Sequence, residues 1–200
     1  MARELAEQLL QLAESAQDSA LLLKAHYVLG DVLFWLGEFA LARVHLEQAI
    51  GLYDPQQHRA QAALYGQEDR GVTSLCYAAW TLWCLGYADQ ALARTREALA
   101  LADASVPPIS QAFTLGFAAI CHQFRREAPA TREQAEAAIV LSTEQGFPYW
   151  SAWGTILQGW VLAEQSQEAE RRDCPNSPGF GRLPSYRGGA GTAVYSCLVG

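Results

Sequence analysis

The chain is 200 residues long, 50% hydrophobic and 18% charged, with a formal net charge of −7. That length holds one sizeable domain or a run of smaller units, and the composition excludes a chain disordered throughout. The acidic balance argues against a nucleic-acid partner.

The first predicted element is a helix over 2–16, in MARELAEQLLQLAES. It is amphipathic and carries acids early, which excludes a signal peptide. Further helices are predicted at 19–36, 39–53, 71–85, 88–103, 109–125, 130–145 and 149–165. Between the third and fourth lies YDPQQHRAQAALYGQEDR, 53–70, an insertion with room for a short helix. The uncharged stretches 71–88 and 146–163 barely reach the length of a membrane span and contain Gly, Ser or Gln. Buried helices are expected there, and no membrane partner. The cysteines Cys76, Cys84, Cys121, Cys174 and Cys197 are odd in number and form no C-x-x-C pair. They read as reduced, mostly buried thiols of a cytoplasmic protein.

These elements repeat. Aligning Gly37 of LGEF with Gly86 of LGYA places an alanine five residues on (Ala42, Ala91) and another twelve on (Ala49, Ala98). Small or aliphatic pairs stand upstream, Leu29-Gly30 and Ala78-Ala79. The same frame set on Arg126 finds Ala118, Ala119 and Ala138, and set on Ser166 it finds Gly159. A helix–turn–helix unit recurring at this interval explains why LGYADQALARTREALALA, 85–102, is so rich in alanine. Where one helix crosses both its partner and the next unit, only small side chains fit.

The small pair, the turn glycine and the two registered alanines resemble the tetratricopeptide repeat. LGDVLFWLGEFALARVHLEQAI matches it best, with Leu29, Gly30, Gly37, Phe39, Ala42, Ala49 and Pro55 in place. The second unit lacks the glycine of the pair (Ala79) and the third lacks the turn glycine (Arg126). The wording of residues 64–102 and 142–165 is similar to the C-terminal repeats of large bacterial signalling proteins. Those proteins join a nucleotide-cyclase or kinase domain to a STAND-type ATPase. The resemblance implies an all-α, right-handed solenoid of tandem antiparallel hairpins over 1–171. Its parts are a partial repeat at 1–17, units near 19–55, 71–104 and 109–146, and a truncated one at 149–171. It implies a protein or peptide partner, or another domain of the parent protein.

Carrying the family's groove-facing positions onto this sequence gives a strongly aromatic face. It comprises Lys24, Tyr27, Asp31, Phe34 and Trp35, then Thr73, Cys76, Trp80, Trp83 and Cys84. The third unit adds Phe113, Gly116, Ile120, Gln123 and Phe124, and the fourth Trp153, Ile156, Trp160, Ala163 and Glu164. Exposed, these rings would capture an apolar segment or helix. Packed on one another, they would be core. Lys24 is the chain's sole lysine, so a basic clamp for a peptide carboxylate is not expected.

After Arg172 the pattern stops. RRDCPNSPGFGRLPSYRGGAGTAVYSCLVG is rich in Pro and Gly and holds no acid beyond Asp173, although the chain has 21 Asp and Glu. A shifted reading frame or gene-end artefact fits this break, with a genuine flexible tail as the alternative. Either way the last unit should expose a face that a solenoid normally caps.

No catalytic constellation is legible. GGAGTA at 188–193 lacks the Gly-Lys-Ser/Thr of a phosphate loop. His26, His45, His58 and His122 are scattered and lack ligand spacing, and Cys76 and Cys84 are too far apart along a helix for one metal. Glu133 and Glu136 share a face that reads as solvated surface. The expectation is a non-catalytic interaction scaffold without cofactor or metal. The alternative is a helical sensor holding a small apolar effector in the aromatic groove.

Overall fold

The computed structural model describes residues 1–65, 68–102 and 106–173. All regular structure among them is helical: α1 (Ala2–Ala16), α2 (Ser19–Trp35), α3 (Phe39–Gly51), α4 (Pro55–Tyr65), α5 (Arg70–Cys84), α6 (Ala88–Leu101), α7 (Pro108–Phe124), α8 (Ala128–Gln145) and α9 (Pro148–Asp173). Helices adjacent in the chain pack together: α1 on α2, α2 on α3, α5 on α6, and α8 on both α7 and α9. The short α4 stands partly aside, and α3 reaches past it onto α5.

Three turns share one geometry. Gly37, Gly86 and Arg126 all sit at positive φ, 78°, 87° and 58°. In each, the backbone N–H of that residue bonds to the carbonyl three residues back, at Phe34, Trp83 and Gln123 respectively. The next residue's N–H reaches the carbonyl five back, at Leu33, Leu82 and His122. This closure satisfies the last carbonyls of the first helix and reverses the chain within three residues. Arg126 pays backbone strain where the sister turns have glycine.

The residues in register with these turns are packed out of solvent. Ala42, Ala49, Ala91, Ala98 and Ala138 are fully buried, as is Thr131 at the remaining equivalent site. Gly30 lies so close to α3 that a Cβ there would stand 2.7 Å from Leu46 Cγ. Small residues therefore mark the places where helix backbones approach, as the alanine spacing predicts.

The starts of α2 and α5 are fixed by aspartates. Asp18 accepts the N–H groups of Ala20 and Leu21, and Asp69 those of Gly71 and Val72. Asp69 is buried and also takes the Tyr53 hydroxyl at 2.7 Å, while its own N–H bonds Ser110 Oγ at 2.7 Å. One residue, through its carboxylate and its backbone N–H, thus ties the 53–70 insertion to α5 and α7.

The long α9 departs from the sequence reading. A turn was expected near Ser166, but the helix runs through it to Asp173, and Ser166 Oγ bonds the Leu162 carbonyl at 3.0 Å. LAEQSQEAERR contains neither Gly nor Pro and consists mostly of strong helix formers, so nothing breaks it. Arg126 and Arg132 tether it further, to Glu164 at 2.7 Å and Gln165 at 2.6 Å. The proposed tail beyond 173, with its GGAGTA, lies outside the described residues. No helix among the described residues is long and apolar enough to cross a membrane.

Candidate aromatic binding face

The helices α2, α5, α7 and α9 touch in that order. Their facing side chains are largely rings, because aromatic residues recur along each on one helix face or directly beside it: Tyr27, Phe34, Trp35; Tyr77, Trp80, Trp83; Phe113, Phe117, Phe124; Tyr149, Trp150, Trp153. The result is a continuous aromatic seam. Phe34 meets Tyr77 at 5.6 Å between centroids, Tyr77 meets Phe117 at 5.1 Å, and Phe117 stacks on Trp80 at 3.9 Å. Trp153 lies parallel to Trp80 at 6.2 Å, and Phe113 contacts Trp150 at 5.1 Å.

The seam has an inside and an edge. Tyr27, Phe34, Trp80 and Phe113, all expected on a groove, are buried. So are Thr73, Cys76, Gly116 and Ile120 from the wider set. They pack against the neighbouring helix of the seam, which is the core arrangement, because successive inner helices lie close enough for their rings to touch. Trp35, 50% exposed, marks the edge. Trp83, Phe124, Trp153 and Trp160 are partly exposed, and Asp31 also keeps partial access to solvent. Trp83 and Phe124 form an edge pair, stacked at 5.7 Å and 20°. Tyr149, 60% exposed, extends the edge beside Trp153 at 5.8 Å. Trp160 does not join the stack. Lys24 and Cys84 are exposed.

Reading the sequence in the family's register missed Tyr77, Phe117, Trp150 and Tyr149. Tyr77 and Phe117 are the seam's hubs, and both are buried. Their spacing from Trp80 and Phe113 was the available signal.

Polar groups along the seam are few. Trp80 donates its indole N–H to the Phe117 carbonyl at 3.2 Å. The Arg70 guanidinium covers the Tyr27 ring at 4.7 Å and pairs with Glu68 at 2.9 Å. Burial raises the pKa of both Tyr27 and Tyr77, and it holds the Cys76 thiol at about 12 and the Cys121 thiol above its ordinary value. Neither buried thiol has the thiolate character that reactivity needs.

Away from the seam, the histidines are less scattered than the sequence suggests. His26 on α2 and His45 on α3 bring their Nδ1 atoms within 3.0 Å, with rings stacked at 5.3 Å. His122 bonds Glu127 at 2.7 Å. Among the described residues, no group of three His, Cys, Asp or Glu is placed to hold a metal ion. Glu133 and Glu136 are exposed. An open cleft of about 340 Å³ lies between α3 and α6, lined by Arg43, Glu47, Gln90, Arg94 and Glu97. Its central charge is already paired: Arg94 bonds Glu47 at 2.6 Å and Glu97 at 2.7 Å. No family model and no curated protein matches the chain.

Proposed function

We propose that this chain is a non-catalytic protein-interaction scaffold: a right-handed solenoid of helical hairpins of the tetratricopeptide type. In this reading it is the regulatory repeat region of a cytoplasmic bacterial signalling protein that carries an ATPase and a cyclase or kinase domain. The observation that carries the binding role is the edge of the aromatic seam. Trp35, Trp83, Phe124, Trp153 and Tyr149 come from four different helices and leave ring surface in solvent. Rigid rings held by a packed core are well suited to bury an apolar segment, since little side-chain entropy remains to be lost. The three turns of like φ and hydrogen-bond pattern, and the buried small residues in register with them, support the hairpin solenoid.

The rival role, a sensor for a small apolar effector, needs a hollow. The rings of the seam instead touch one another, and the gap between Cys76, Thr95, Thr114 and Phe117 leaves no room even for a water molecule. Ordinary ligand pockets are far larger.

Selection of peptides from a displayed library tests the proposal, with a panel of small hydrophobic ligands as the second arm. The scaffold reading expects enriched peptides carrying apolar anchors, with binding that changes tryptophan emission. Saturable binding of the small ligands without any peptide would favour the sensor, and no binding in either arm would defeat both.

A further inference from the structure

The helices α2, α5 and α7 together carry a single carboxylate, Asp31. It sits among the rings at one end of the seam, where an acid is costly unless its charge is compensated. The compensation in the folded chain is incomplete. Asp31 Oδ1 is buried and has no hydrogen-bond partner. Trp35, four residues on and on the same helix face, donates its indole N–H to the Tyr77 hydroxyl at 3.4 Å. Burial raises the pKa of Asp31, outweighing hydrogen bonding from Tyr77 and Trp35 to its carboxyl and the charge of Arg70, all of which favour its charged form. The nearest cation, Arg70, is held elsewhere, over the Tyr27 ring and on Glu68.

We propose that Asp31, with Trp35 and Tyr77 beside it, is a subsite for a lysine or arginine side chain of the bound protein segment. Two features fit this occupant. The unpaired Oδ1 of Asp31 gains a charge-assisted hydrogen bond from it. The half-exposed Trp35 indole offers ring surface to the cation and its methylene stem. Trp35, half in solvent, borders the subsite on its open side. The inference rests on the aromatic edge being a protein-binding face. It specifies a basic anchor at the α2–α5 end, where apolarity alone would select none.

The test uses capped lysine amide and capped arginine amide as probes, with capped norleucine amide as the neutral isostere. Binding is followed on the six tryptophan indole N–H signals by NMR, assigned by single Trp→Phe changes. The expected result is a saturable shift of the Trp35 signal with the basic probes, at least tenfold weaker with norleucine. In Asp31→Asn, which keeps the shape and the folded spectrum, the same shift should also weaken at least tenfold. An equal response to norleucine, or an unchanged response in Asp31→Asn, overturns the subsite. So does a library peptide that shifts Trp83 and Trp153 yet binds Asp31→Asn as tightly as the unaltered chain. That last outcome leaves the binding face standing, whereas absence of peptide binding altogether removes the face itself.

Discussion

Trp80 and Phe117 lie face to face, 3.9 Å between ring centroids and 16° from parallel. The indole N–H of Trp80 also bonds the carbonyl of Phe117 itself, at 3.2 Å. A single residue pair therefore joins α5 to α7 by stacking and by a buried polar contact. Trp80→Ala removes both and leaves a large void, with an expected loss of about 3–5 kcal/mol in denaturant unfolding. Trp83→Ala, at the partly exposed edge, should cost about 1 kcal/mol. Equal losses would mean that the inside and the edge of the seam are not distinct.

The two glycines of α9 should respond oppositely to alanine. At Gly154 a Cβ would stand 2.6 Å from Ile139 Cγ1 and 2.9 Å from the Ala135 carbonyl oxygen. Gly154→Ala should therefore destabilise by about 1–2 kcal/mol despite its better helix propensity. At Gly159 a Cβ meets nothing within 4 Å, so Gly159→Ala should stabilise by about 1 kcal/mol. Urea midpoints of the two variants check this, and shifts of the same sign would contradict the close packing of α8 on α9.

Backbone geometry at the turns gives a second opposed pair. Gly86 has φ 87° with open space around it, so Gly86→Ala carries the left-handed penalty alone, about 1–2 kcal/mol. Arg126→Gly relieves the same strain at φ 58° but forfeits the exposed ion pair with Glu164. Such pairs contribute little, and a net gain of up to about 1 kcal/mol is expected from thermal unfolding.

The register of the turns was legible in the sequence because it depends on local rules. A glycine before an alanine-rich helix, with small residues at fixed offsets, encodes the closure seen at Gly37 and Gly86. Arg126 was found only by spacing, since it adopts the glycine conformation without being glycine. The seam was half legible: the rings were read as one face, but their burial depends on how closely α2, α5, α7 and α9 approach, which no single helix encodes. The His26–His45 contact was missed for a similar reason, because only the packing of α2 on α3 brings together two residues so far apart in sequence. The course of α9 through Ser166 was misjudged because the repeat frame was extended past the point where local propensity supported a turn.

That histidine pair makes stability depend on pH. Burial lowers the pKa of both rings, and the charge of His45 lowers that of His26 further, while Glu14 opposes this at His26 and Glu7 at His45, both from α1. The folded-state values lie below the unfolded value of about 6.5. Above pH 6.5 both states hold neutral rings and nothing is lost. As pH falls below it, the unfolded chain takes up protons that the native chain resists, so stability declines. A His26→Leu, His45→Leu variant should show a flatter decline between pH 7 and about 5.5. The melting temperature read across that range decides it, and an unchanged slope would contradict the coupling.

The most direct measurement is the dissociation constant of one library-selected peptide for the unaltered chain and for a Trp83→Ser, Trp153→Ser variant, with melting curves of both. The edge of the seam is predicted to carry binding, so the variant should bind at least tenfold more weakly while remaining folded, a loss of about 1.4 kcal/mol or more. An unchanged constant in a folded variant would place the binding surface elsewhere and contradict the account.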